Sequence, residues 1–260
     1  PGLVGELVDA SGRIIAATDA DWRAFRLDAW LGQQRRTPYF CLDLVEMLDH
    51  RRLPDGFPML AEEDGEAPAA IPVPGVRFNE LQPRPFPRLV HETRPALTVE
   101  RTGWVVDASN DYAMPAVAVS SEPIEAADLG LGQATPYTVP VPAAGRAAAV
   151  LLKLDGYDKG RPIIDLDAPA GAVVDLSWHE YLNADGQFDV RTTRIYTTDR
   201  HILADGPNRI EPEDWICGRH VLLTFRHFDR PIEVRRLQWQ SEGYPLGRRT
   251  RFESTDAKLN

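Results

Sequence analysis

Residues 147–182, the stretch that decides the fold, read AAAVLLKLDGYDKGRPIIDLDAPAGAVVDLSWHEYL. Its apolar runs are separated by turn-forming residues, and this pattern predicts three β-strands at 147–154, 161–166 and 172–182. The segment 168–171 contains Pro169 and Gly171, which cannot continue a sheet ladder, so it predicts a turn. Strands of this length separated by turns indicate a sheet protein.

Apolar and polar residues alternate in the third predicted strand. One parity is apolar and comprises Ala172, Val174, Leu176, Trp178 and Leu182. The other parity is polar and comprises Asp175, Ser177, His179 and Tyr181. We expect the apolar face to pack on a core and the polar face to meet solvent, as in a β-sandwich.

Glu180 has the apolar parity, so it is predicted to point inward. A buried carboxylate costs several kcal/mol unless a cation pairs with it. Arg191 and Arg194 are the nearest cations in the sequence, and an ion pair with either would satisfy this need. A sugar contact by Glu180 and Arg194 is the alternative.

The composition is that of a globular protein with a sizeable core. The chain has 260 residues, of which 43% are hydrophobic and 26% charged, and its 22 prolines oppose long helices. The net charge of −10 argues against nucleic acid or an anionic membrane as a partner. No apolar run approaches the roughly 20 residues that span a bilayer, and no signal peptide is recognisable. Cys41 and Cys217 are predicted to be buried free thiols, since no zinc spacing is present.

The remaining chain predicts further strands in two β-sandwich domains. A hairpin is predicted from 3–8 and 13–17, and strands from 96–108, 219–228 and 231–240. The apolar parity of the last strand switches near Arg235 and Arg236, which predicts a β-bulge. The first domain comprises residues 1–88 and ends in a proline-rich linker, the second comprises 89–245, and residues 246–260 resemble the start of a helix.

A polar and aromatic cluster follows the predicted strand at 96–108. It comprises Trp104, Asp107, Asn110, Asp111 and Tyr112. An aromatic face with nearby planar polar groups suits a sugar, and the Asp and Asn oxygens suit Ca²⁺. An Asp- and Asn-rich turn without a ligand explains the same residues.

Several short motifs, taken in order, resemble the non-catalytic front of bacterial α-L-rhamnosidases of glycoside hydrolase family 78. They are residues 19–24 (DADWRA), 46–54 (EMLDHRRLP), 83–89 (PRPFPRL), 169–171 (PAG), 179–182 (HEYL), 194–196 (RIY), 243–245 (GYP) and 252–260 (FESTDAKLN). The resemblance covers nearly the whole chain. Each motif is short, so their order and spacing carry the resemblance.

The resemblance implies an accessory region of an inverting enzyme that acts on terminal α-L-rhamnosides. It implies that the last motif opens an (α/α)₆ barrel, which would be the chain's intramolecular partner and would carry the two catalytic carboxylates. No residue of this chain is then expected to be catalytic, and no cofactor is expected beyond a possible Ca²⁺. A rhamnose-containing glycan is the expected ligand. The alternatives are a stand-alone carbohydrate-binding module with a jelly-roll fold and a structural spacer without a ligand.

Overall fold

The computed structural model describes residues 6–18, 22, 27–31, 45–54, 57, 69, 71, 85–94, 97–107, 124–132, 135–188, 197–245, 254–256 and 258. The chain divides into two compact units, one of Pro1–Trp30 with Arg52–Arg84 and one of Leu31–Arg51 with Pro85–Asn260. Regular structure in these described parts is β, apart from a 3₁₀ turn at His50–Arg52. The predicted all-β class is therefore confirmed. Among the same residues, no helix is long and apolar enough to cross a membrane.

The smaller unit contains the predicted hairpin. Strand β1 (Glu6–Val8) pairs antiparallel with β2 (Ile14–Ala17). Asp9 closes the connection because its Oδ1 accepts hydrogen bonds from the backbone N–H groups of Ser11 and Arg13, at 2.9 and 3.0 Å. Gly12 supplies the left-handed conformation that the turn requires, with φ of 85°.

The larger unit is built on one sheet of 11 strands, and its longest strand runs through both layers of a sandwich. The strands are β3 (Met47–Asp49), β4 (Val90–Arg94), β5 (Leu97–Val106), β6 (Glu125–Ala126), β7 (Tyr137–Val139), β8 (Arg146–Ala168), β9 (Val173–His179), β10 (Thr198–Ile202), β11 (Gly206–Ile210), β12 (Ile216–Arg226) and β13 (Ile232–Gly243). The main path follows the order β3-β10-β9-β12-β8-β13-β4. The β10–β3 pair is parallel and the other pairs are antiparallel.

Strand β8 has 23 residues and replaces the first two strands that the sequence predicts. Its first part pairs with β5 and β12, and its last part pairs with β13 and β11. The predicted turn at 155–160 is wrong. Gly156 has a φ of 109°, and pairing with β12 resumes at Asp158 and extends to Gly160, which lies opposite both Ile216 and Ser241. A strand that changes layers in this way forms a corner of a sandwich.

Both faces of the central strands are buried, which corrects the predicted solvent face. The main core contains the apolar side chains at alternate positions from Ala172 to Trp178. Side chains from both parts of β8 pack with them. A second apolar cluster covers the opposite face and comprises Val105, Ile124, Ala147, Ala149, Leu151, Phe188 and Leu222. All seven residues of β9 are buried as a result, including Asp175 and Ser177. The predicted alternation of apolar and polar residues in β9 is therefore correct, but the polar face packs against protein rather than facing water.

Other sequence predictions for the larger unit have mixed outcomes. The turn at 168–171 is confirmed, because Ala172 N–H donates to Pro169 O at 3.2 Å and Gly171 has φ of 83°. The predicted bulge is confirmed, since the register of β13 against β8 shifts between Val234 and Arg236. Cys217 is exposed rather than buried. Cys41 lies outside the described residues.

The predicted domain limits stay predictions. Strand β3 pairs with β10, and the segment Leu31–Arg51 is part of the larger compact unit. The helix start within 246–260 also stays a prediction, because most of these residues are not described.

We expect Gly160→Ala to lower the free energy of unfolding by about 1–3 kcal/mol. A β-carbon at Gly160 would overlap the carbonyl oxygen of Gln240 and the Nε1 atom of Trp239. Gly243→Ala is the matched control, because Gly243 ends β13 and a β-carbon there would meet nothing within 4 Å. Chemical denaturation of both variants is the measurement. Equal stability of the two variants would contradict the close approach of β13 to Gly160.

Candidate functional site

A buried ion network lies on the polar face of β9, centred on Asp175. Asp175 and Arg200 are directly opposite in the antiparallel β9–β10 pair, so their side chains leave the sheet on the same side. Arg200 donates from Nε to Asp175 Oδ1 at 2.6 Å and from a terminal nitrogen to Oδ2 at 2.8 Å. Asp175 is 0% exposed and Arg200 is 1% exposed. This two-point pair therefore lies wholly inside the protein.

A second arginine extends the network to the end of β5. Thr224 lies opposite Asp175 on β12, so Arg226, two residues further, faces the same side of the sheet. Arg226 donates from Nε to Asp175 Oδ2 at 3.0 Å and from a terminal nitrogen to Asp107 Oδ1 at 2.6 Å. The network thus contains two carboxylates and two guanidinium groups, so their formal charges cancel. Its members come from β9, β10, β12 and the end of β5.

His227 closes the outer end of this network. Its Nε2 lies 3.2 Å from Asp107 Oδ2, and its side chain is 26% exposed. His227 has φ of 56°, a left-handed conformation that is uncommon for residues other than glycine. The contact with Asp107 contributes to holding that conformation where β12 ends.

Two members of the predicted sugar and calcium cluster, Trp104 and Asp107, are described. Trp104 packs against the main core, whereas its neighbour Val105 belongs to the second cluster on the opposite face. Both Asp107 oxygens are engaged by Arg226 and His227. Asn110, Asp111 and Tyr112 lie outside the described residues, so the site stays a prediction. Within the described part of the chain, no group of three or more His, Cys, Asp or Glu side chains could hold a metal ion.

Glu180 is exposed, so the prediction that it points inward is wrong. Strand β9 ends at His179, and the alternation of faces no longer applies one residue later. The predicted partners Arg191 and Arg194 lie outside the described residues. Burial, then Cys217 and Glu180, raises the pKa of Tyr157.

Tyr157 on β8 and Tyr181 just after β9 are exposed aromatic residues of the larger unit. Tyr157 is 60% exposed and Tyr181 is 50% exposed, which is high for such large side chains. The Tyr181 ring stands edge-on against the His179 ring, with centroids 4.7 Å apart. The sequence analysis missed Tyr157 because it placed that residue in a turn. An aromatic residue next to Gly156 within a charged run was the available signal.

Two histidines form a second buried polar contact, where β3 meets β10. His50 Nε2 and His201 Nδ1 lie 3.3 Å apart, and Nε2 of His201 has no hydrogen-bond partner. Burial lowers the pKa of His50 to about 4, against an opposing effect of Asp49. Burial, followed by the neighbouring His50, lowers the pKa of His201 well below its usual value. Both rings are therefore neutral at pH 7.

Comparison with known proteins places this fold among solved structures. No family model matches the chain, and no curated protein matches it. A GH78 family rhamnosidase of Bacillus sp. GL1 superimposes on 97% of this chain with a TM-score of 0.73 and 17% sequence identity. The chain spans 45% of that enzyme's length. The resemblance to α-L-rhamnosidases is thus confirmed at the level of the fold.

A rhamnosidase from Klebsiella oxytoca with rhamnose bound also matches, but over less of the chain. The match covers 60% of this chain and 30% of that enzyme, with 12% identity and a TM-score of 0.38. A TM-score this low carries no argument about fold or function.

We expect Asp175→Ala to lower the free energy of unfolding by about 3–5 kcal/mol, because it leaves two buried guanidinium groups without their shared carboxylate. Glu180→Ala is the matched control, since it removes an exposed carboxylate a few residues further along the chain and should change stability by less than about 0.5 kcal/mol. Urea denaturation of both variants is the measurement. A Glu180 variant as unstable as the Asp175 variant would mean that Glu180 is buried after all.

We expect stability to fall as the pH drops from 6.5 towards 4, in part through His50. In the unfolded chain His50 binds a proton near its usual pKa of 6.5, whereas in the folded chain it binds one only near pH 4. At about 1.36 kcal/mol per pKa unit, this difference amounts to roughly 3 kcal/mol. The melting temperature of His50→Gln should therefore depend less on pH across this window than that of the wild type. Identical pH dependence would show that His50 is not buried in neutral form.

Proposed function

We propose that this chain is the non-catalytic, accessory β-sandwich part of a rhamnosidase-like glycoside hydrolase. The observation that carries the proposal is the shared fold, which extends over 97% of this chain but only 45% of the GH78 family rhamnosidase. A match that covers nearly all of one chain and half of the other is what an accessory portion of a larger enzyme would give. The catalytic carboxylates would then lie in the helical barrel of the parent polypeptide.

The described carboxylates support a non-catalytic role. Glycoside hydrolysis needs two carboxyl groups that flank the bond to be cleaved, so both must reach the substrate. Asp175 is fully enclosed by two arginines, and both oxygens of Asp107 are engaged. The ion network therefore does not offer the pair that the reaction requires.

A carbohydrate-binding module is the second candidate function, and the exposed rings of Tyr157 and Tyr181 favour it. An exposed aromatic ring is suited to the apolar face of a sugar. The structural spacer is the third, and it requires no exposed binding surface. The accessory role is compatible with either, since an accessory domain can bind glycan or only support the barrel.

We expect the purified chain to show no hydrolysis of an aryl α-L-rhamnoside, because the catalytic pair would lie outside it. Release of the aryl alcohol, compared with buffer and with an active rhamnosidase, is the measurement. Contaminating enzyme is excluded by repeating the assay after a further chromatographic step. Activity that survives purification and disappears in a substituted chain, for example Glu180→Gln, would overturn the non-catalytic assignment.

A further inference from the structure

We propose that the contact between His50 and His201 is an acid-sensitive switch, in which protonation of the two rings releases β3 from β10 while the central strands stay folded. The switch is a property of the larger unit and does not depend on the proposed function. Its basis is the contact between the rings, the closed surroundings of the rings and the position of β3 in the sheet.

The two rings are joined by a hydrogen bond that exists only while one ring nitrogen is unprotonated. His50 Nε2 lies 3.3 Å from His201 Nδ1, so one of these nitrogens donates and the other accepts. When both rings are protonated, both nitrogens are donors and neither can accept. Two like charges would also lie within hydrogen-bond distance of each other. Full protonation is therefore incompatible with the observed contact.

The surroundings of the two rings are closed to water. His50 is 9% exposed and His201 is 0% exposed. The buried Nε2 atom of His201 has no hydrogen-bond partner among the described residues, so a proton on it would have no acceptor. On β9, the residue opposite His201 is Val174 of the main core. A charged His201 ring would therefore be neither hydrated nor hydrogen-bonded, which is strongly unfavourable.

The charged side chains closest in sequence to His50 are bonded to each other. Asp49 accepts hydrogen bonds from Arg51 on both carboxylate oxygens, each at 2.8 Å. Burial lowers the pKa of His50 to about 4, and Asp49 opposes this effect without overcoming it. Asp49 therefore does not hold a proton on His50 in the folded chain at pH 7.

The charged side chains of β10 are also engaged. Asp199 lies two residues before His201 and on the same face of the sheet, and its Oδ1 accepts the backbone N–H of Glu46 at 2.8 Å. Arg200 faces the opposite side of the sheet, where it bonds to Asp175. Burial, and then the neighbouring His50, lowers the pKa of His201. Neither β3 nor β10 therefore supplies a carboxylate that offsets a second proton on the two rings.

Strand β3 is placed where it can open while the rest of the sheet stays paired. It has three residues, lies at one end of the main strand path and, among the described strands, pairs only with β10. Strand β10 would keep its antiparallel pairing with β9. Short segments at the edge of a fold open at a lower free energy than central strands. Opening hydrates both histidines, so it becomes easier as the pH falls below 6.5.

The test is hydrogen exchange of the whole chain at pH 7 and pH 5, with each rate corrected for the intrinsic rate at that pH. The Arg200 N–H donates to Glu46 O at 2.8 Å and therefore reports on the contact between β10 and β3. The Leu223 N–H, in the middle of β12, reports on global unfolding because β12 is paired on both sides.

We expect the protection of the Arg200 N–H to fall at least about 20-fold between pH 7 and pH 5. This is the effect of His50 alone, whose pKa rises from about 4 to its usual 6.5 when β3 opens. At pH 5 the Arg200 N–H should be at least about tenfold less protected than the Leu223 N–H, since local opening is easier than global unfolding. Dilute urea should accelerate exchange at Leu223 much more than at Arg200, because local opening exposes little surface.

Two variants assign the effect to the histidine pair. His50→Gln removes one titrating ring but keeps an amide donor, so the fall in Arg200 protection between pH 7 and pH 5 should be about 20-fold smaller than in the wild type. His91→Gln is the matched control, because it removes an exposed histidine on β4, and it should behave like the wild type. Circular dichroism checks that both variants are folded. If His50→Gln does not fold, the comparison of Arg200 with Leu223 in the wild type still decides the proposal.

Three results would overturn the switch. The first is equal protection of Arg200 and Leu223 at pH 5, because β3 would then open only when the whole unit unfolds. The second is a fall in Arg200 protection of less than about threefold in the wild type, and the third is an equal fall in the wild type and in folded His50→Gln. Hydrolysis of the aryl rhamnoside, which would contradict the proposed function, has no bearing on any of them.

Discussion

The pairing of Asp175 with Arg200 and Arg226 is the contact on which the central sheet depends. Because both faces of β9 are covered by protein, its carboxylate cannot be hydrated, and desolvation of an unpaired charge costs several kcal/mol. The two arginines offset this cost only when β10 and β12 are in the observed registers, which place both guanidinium groups on the same face. Arg226 then brings Asp107, at the end of β5, into the same network. The Asp175 carboxylate thus links three strands, and Arg226 extends the network to the end of a fourth.

Strand β8 passes from pairing with β5 and β12 to pairing with β13 and β11. The change takes place between Gly156, which has a φ of 109°, and Gly160, which lies opposite both Ile216 and Ser241. Tyr157 lies in this part of the strand and is 60% exposed, whereas Asp158 accepts hydrogen bonds from Trp239 and Ser241 of β13. An exposed aromatic residue therefore occurs within the strand that joins the two layers rather than in a loop.

Side-chain alternation predicted the core of the larger unit well. Ala172, Val174, Leu176 and Trp178 all lie in the main core, and the parity switch in β13 is a real bulge. Local chemistry also located the turn at 168–171 and the hairpin around Asp9. Each of these features depends on residues that are close together in the sequence, so the sequence alone predicts it.

The sequence pattern does not predict features that depend on contacts between distant parts of the chain. The second apolar cluster covers the face of the sheet opposite the main core, and its members come from positions 105 to 222. Whether Gly156 reverses the chain or only bends it depends on β12 and β13, which pair on either side of Gly160. Trp104 and Asp107 lie three residues apart, but the strand places Trp104 against the main core and Asp107 against Arg226. The sugar site predicted there stays a prediction, because Asn110, Asp111 and Tyr112 lie outside the described residues.

Asp175 and Glu180 show how the end of a strand divides carboxylates between buried and exposed positions. Asp175 lies within β9, where covering the sheet forces it to pair with arginines, and a carboxylate so enclosed cannot meet a ligand. Glu180 lies just beyond the last residue of the strand, where nothing requires burial, and it is exposed. The fold must therefore offset the desolvation of Asp175 with two arginines, whereas Glu180 keeps its hydration and needs no buried cation.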